Sequence, residues 1–154
     1  IESLRYCARY KGLNIYAYCL MTNHLHLVAN CNEPFQLRDT IRDFKRCSAK
    51  RIIGQIRNEP ESRRENFMFL FKNAAMKNSK SKGFKFWKTG NHAIDLYSEK
   101  FIWDKINYIH NNPVMENFVS RPEDWVYSSA SNYLEEESIL LEVCVVPQIM
   151  KTLR

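Results

Sequence analysis

The chain lacks any apolar run approaching the roughly 18 to 20 residues that a bilayer span requires, so a membrane-embedded role is not expected. It also lacks Cys-x-x-Cys. Its five cysteines, Cys7, Cys19, Cys31, Cys47 and Cys144, are odd in number and irregularly spaced, which supports neither a disulfide framework nor a thiolate zinc site. A reducing, cytoplasmic setting is the expectation. No internal repeat is visible, and no histidine or acid stands near Ser128 and Ser129 as a triad partner, so serine hydrolysis is not expected there. The opening residues show no charged-then-apolar leader. Residues 1 to 10 instead read as the middle of a helix, so the sequence is expected to be a fragment whose natural beginning is missing.

What is present is one domain's worth of chain with an excess of positive charge. The 154 residues carry 23 Lys and Arg against 17 Asp and Glu, a net charge of +6 and a pI near 9.1, which favours a polyanionic partner, nucleic acid first. A single domain over 1–154 is expected, with its core at about 1–133 and an extension at 134–154.

Periodicity predicts a helix over residues 1–11 stopped by Gly12, and an antiparallel hairpin from about 14–20 and 24–29 turned by Thr22-Asn23. A long helix from Leu37 to about Arg57 follows. The segment 58–65 reads as irregular, Phe67–Phe71 as a short apolar run and Lys77–Gly83 as a basic loop. Phe84-Lys85-Phe86-Trp87 reads as a further strand. A third helix capped by Ser98 is expected to end at about Asn112, before Pro113, with Ile102, Ile106 and Ile109 as its core stripe. Residues 139–146 form a terminal strand or a packed extension. This order predicts an α+β sandwich with helices on one face of an antiparallel sheet, a ferredoxin-like split βαβ layout that lacks its first strand.

Chemistry concentrates in two motifs. In Met21-Thr22-Asn23-His24-Leu25-His26-Leu27-Val28 the two imidazoles lie two residues apart on a strand and share a face, while Leu25 and Leu27 turn toward a core. Such a pair holds a divalent metal, grips a phosphate, or simply packs. In Tyr108-Ile109-His110-Asn111-Asn112-Pro113, Tyr108 and Asn112 are one helical turn apart and share a face, so Asn112 can complete a metal site beside the Tyr108 hydroxyl. Asn111, three residues from Tyr108, also remains open. His110 points about 200° round the helix and is excluded from that site. Trp125, Tyr127 and Tyr133 are expected to pack the C-terminal segment.

Together with Trp125-Val126-Tyr127-Ser128-Ser129 before Tyr133, these motifs resemble the single-tyrosine transposases with a His-hydrophobic-His (HUH) motif, nearest in pattern to the REP-associated branch. The resemblance covers about residues 1–133. It implies that His24, His26 and Asn112 bind Mg²⁺ or Mn²⁺, and that Tyr108 attacks single-stranded, hairpin-containing DNA to form a 5′-phosphotyrosine link that is later rejoined. A domesticated module that binds structured DNA without cutting, and a hydrolytic metal-dependent nuclease, are the alternatives. Seven cations against two anions over residues 35–57 supply a surface for DNA, with Arg38, Arg42, Lys45, Arg46, Lys50, Arg51, Lys85 and Lys88 as expected contacts. In isolation such a helix is a solvated face. Phe86 and Trp87 read either as core or as a platform for bases. A homodimer fits paired cleavages, and association with the nucleoid follows from DNA binding.

Overall fold

The computed structural model describes residues 1–77 and 83–147. Its elements in order are α1 (Glu2–Tyr10), β1 (Leu13–Leu20), β2 (Leu25–Cys31), α2 (Leu37–Asn58), α3 (Arg64–Met76) and α4 (Glu99–Met115), followed by two short 3₁₀ turns. This is an α+β chain with a two-stranded antiparallel sheet, consistent with the split βαβ layout. Contacts divide it into two compact units, one formed by Ile1–Thr40 with the residues from Asp95 onward, the other by Ile41–Ile94.

In the first unit, Gly12 ends α1 at φ +62, a conformation open to glycine without strain, and a Cβ there would lie 2.7 Å from Phe35 Cδ2. β1 then pairs with β2 from Leu13↔Cys31 to Leu20↔Leu25, with an irregularity between Ile15 and Ala17. Ala17, Cys19, Met21 and Val28 turn to one face and close a core with Ile106 and Ile109 of α4. Tyr18, adjacent to Cys19, turns the other way, toward Arg5 of α1. Helices therefore cover both faces rather than the single face expected. Leu25 and Leu27 are only half-buried, and Val28 supplies the core residue of β2.

The outer edge of β1 is closed by segments too short to be strands. Ser128 bridges Cys19 and Val143 bridges Ile15, so 139–146 is a packed extension. Two of the three aromatic residues expected to pack the tail anchor it, Trp125 Nε1 donating to Leu20 O at 3.0 Å and Tyr133 Oη to Tyr16 O at 2.7 Å, whereas the Tyr127 side chain is half exposed.

In the second unit, residues 59–63 are irregular as expected, while the apolar run Phe67–Phe71 lies inside a longer helix, α3, that begins at Arg64. Phe71 and Phe86 meet edge to face at 5.3 Å, and Trp87 packs on Phe44 at 5.8 Å while its Nε1 donates to Ser48 Oγ at 3.0 Å. Phe84–Trp87 is thus not a strand: its aromatic rings are used to cover the helices. Most of the basic loop after Lys77 lies outside the described residues.

Candidate active site

The site is built where the entry to β2 faces α4. Met21 N donates to His24 O at 2.9 Å, so His24 closes the hairpin turn and sits just ahead of the strand, with His26 inside it. The shared face expected from alternation is present: the rings stand edge to face with centroids 4.6 Å apart and their Nε2 atoms 3.0 Å apart. His24 Nδ1 contacts Asn23 Oδ1. An amide oxygen only accepts, so the ring proton of His24 is placed on Nδ1 and the lone pair on Nε2. Burial lowers the pKa of His26 and the neighbouring His24 lowers it further, which favours a neutral ring.

α4 brings the remaining groups. Ser98 Oγ accepts from Phe101 N at 3.2 Å and starts the helix. Pro113 does not end it; the helix runs on to Met115, with Pro113 buried in its last turn. Only the hydrogen bond to the Ile109 carbonyl is forfeited there, close enough to the helix end to be tolerated. Asn112 Nδ2 lies 3.1 Å from His26 Nε2, and the Tyr108 ring stands nearly perpendicular to that of His26 with centroids 5.8 Å apart. Tyr108 is 58% exposed, so its phenol is accessible to a large substrate. The sequence-expected residues His24, His26, Asn112 and Tyr108 are thereby brought together.

Two neighbours are sorted by their contacts. Asn111 Nδ2 donates to Asn107 O of its own helix at 2.9 Å. His110 is buried, its Nε2 lies 2.8 Å from Ser129 Oγ, and burial pushes its imidazole down to about 4. Ser129 Oγ also accepts from Tyr18 N at 2.9 Å, so His110 and Ser129 tie α4 to β1 through buried polar contacts. Sequence reading found no partner for Ser129, because the two are brought together only by the packing of α4.

A divalent ion suits the donor set. Ligand atoms at right angles around an ion with bonds of about 2.1 Å lie about 3 Å apart, close to the spacing of the two Nε2 atoms. The amide of Asn112, turned about its last bond, offers oxygen in place of nitrogen with little change of shape. No cluster of three or more His, Cys, Asp or Glu side chains suited to a metal occurs among the described residues.

The expected DNA contacts are divided between the units. Arg38, in the first, is strongly exposed and lies 3.8 Å from Asp39. In the second, Asp43 lies 3.9 Å from Arg42 and 3.2 Å from Arg46, Lys50, Arg51 and Lys88 are exposed, and Lys85 donates to Thr89 Oγ1 at 2.8 Å. Lys45 donates to Gly90 O at 2.7 Å, and burial lowers its pKa.

The family model described as "Transposase IS200 like" matches residues 1–112, a span that includes both histidines, Tyr108 and Asn112. No curated protein and no solved structure gives a match.

Proposed function

Because this chain belongs to the IS200-like transposase family and is a DNA-processing enzyme, we propose that it cleaves and rejoins single-stranded, hairpin-containing DNA through a covalent link to Tyr108. The observation that supports this reading is the convergence of His24 Nε2 and the Asn112 amide on His26 Nε2, at 3.0 and 3.1 Å, beside an exposed tyrosine. These three side chains would hold Mg²⁺ or Mn²⁺, which when bound supplies positive charge at a non-bridging phosphate oxygen. Tyr108 attacks phosphorus through its phenolic oxygen. The new O–P bond replaces the bond to the 3′ oxygen, the phenolic proton is given up to solvent, and the departing oxygen takes one to become a free 3′-hydroxyl. A 5′-phosphotyrosine link remains, and attack by another 3′-hydroxyl reverses the step without an external energy source. The Asn23 contact holds the His24 ring, and the exposed basic residues of α2 with Lys85 and Lys88 would bind the DNA backbone.

End-labelled hairpin DNA incubated with the protein and Mn²⁺ is expected to give an adduct that survives denaturation. Tyr108→Phe is expected to abolish the adduct and keep DNA binding. Cut product without an adduct would assign the site to a hydrolytic nuclease, and binding without cutting to a non-catalytic module; either result sinks the phosphotyrosine reading.

A further inference from the structure

α4 carries a continuous line of aromatic rings and one cation on its open side. Tyr97, one residue before the Ser98 cap, is 87% exposed, and its ring lies 5.5 Å from that of Phe101. Lys105 Nζ lies 5.2 Å from the Phe101 ring and 5.6 Å from that of Tyr108. Positions 101, 105 and 108 follow each other by four and three, so they fall on one side of the helix, and the line ends at the tyrosine beside His26. Lys105 pairs with no carboxylate among the described residues, and its acidic neighbour Asp104 is occupied by Lys100 at 2.8 Å. A ring as open as Tyr97 gains little from packing against its own chain. The exposed rings of Tyr97 and Tyr108, with the half-buried Phe101 ring and an ammonium that has no carboxylate partner among the described residues between them, match a strand whose bases are unstacked and whose backbone is anionic. In a duplex the base faces are already covered.

We propose that Tyr97, Phe101 and Lys105 form a track for single-stranded DNA that delivers the strand to Tyr108, with bases on the two rings and a phosphate on the ammonium. The track rests on the role given above to Tyr108, yet its binding is measured without any cleavage.

The test uses fluorescence anisotropy of a labelled, unstructured oligonucleotide with Tyr108→Phe protein, so that nothing is cut. Adding Tyr97→Ala is expected to weaken binding about 5- to 100-fold, and Tyr97→Trp to keep it. Adding Lys105→Gln is expected to lower the slope of log affinity against log salt by about 0.7. Binding of a duplex of the same sequence is expected to be unchanged by Tyr97→Ala. Oligonucleotide affinity unchanged from the parent in both Tyr97→Ala and Lys105→Gln, or a loss in Tyr97→Ala that is as large for duplex as for the oligonucleotide, overturns the track. So does loss of self-association in Tyr97→Ala with unchanged DNA binding, which would assign the line to a second copy of the chain. Native protein that forms no adduct, while Tyr97→Ala still loses affinity, removes the role of Tyr108 and leaves the track standing.

Discussion

The single residue that most sharply separates a metal site from a packed histidine pair is Asn112. Its amide lies 3.1 Å from His26 Nε2, whereas the adjacent Asn111 is engaged with the backbone of its own helix at 2.9 Å. Asn112→Ala is therefore expected to weaken Mn²⁺ binding by about tenfold or more in isothermal titration, and Asn111→Ala to leave it unchanged. Equal binding in both variants would remove Asn112 from the site. Both asparagines were open on spacing alone, since residues three and four apart on a helix each share a face with Tyr108. The structure distinguishes them by what each amide already touches, a property that spacing does not encode.

Elements were legible where a period met a firm end. Gly12 and Ser98 bound α1 and α4 because a left-handed stop and a hydroxyl cap act locally, and the Ile102, Ile106 and Ile109 stripe is the one that packs on β1. α4 extends past the end that Pro113 predicts because the proline removes a single hydrogen bond in a last turn that is held by burial. The sequence obscures α3 because its charged start masks a weak stripe, and Phe84–Trp87 resembles a strand because aromatic residues suit either a sheet or a helix-covering segment. The tie from His110 to Ser129 spans 19 positions and exists only once α4 is seated. Ile106, fully buried between α4 and β1, fixes that seating. Ile106→Ala is expected to cost about 2–5 kcal/mol in denaturant unfolding, because the cavity cannot close against a helix that is also held by His110. A loss under 1 kcal/mol would mean that α4 repacks freely.

Across the whole molecule the first unit is closed by contacts between opposite ends of the chain. Arg5 donates to Ile139 O and lies 3.6 Å from Glu142, while Arg9 donates to the same carboxylate at 2.6 Å. Cys144 N then continues the segment onto Ile15 O at 2.8 Å. Partial burial pushes the Glu142 carboxyl up, but the hydrogen bond from Arg9 and the charges of both arginines outweigh it and hold the group below its ordinary range. A carboxyl whose pKa is lower folded than unfolded binds fewer protons in the native state. Its contribution is therefore present above the ordinary glutamate pKa and lost as pH falls through the lowered folded value. Glu142→Gln is expected to lower the melting temperature at pH 7 by a few degrees or less, since a surface pair contributes about 0–1 kcal/mol and each kcal/mol moves a chain of this size by about 2–4 °C. The difference between variant and parent should shrink at 1 M salt and fade as pH falls through the lowered folded pKa of Glu142, vanishing only below it, where both side chains are neutral. A difference that persists unchanged at low pH would show that the glutamine disturbs packing, and that charge does not fasten the C-terminal segment to α1.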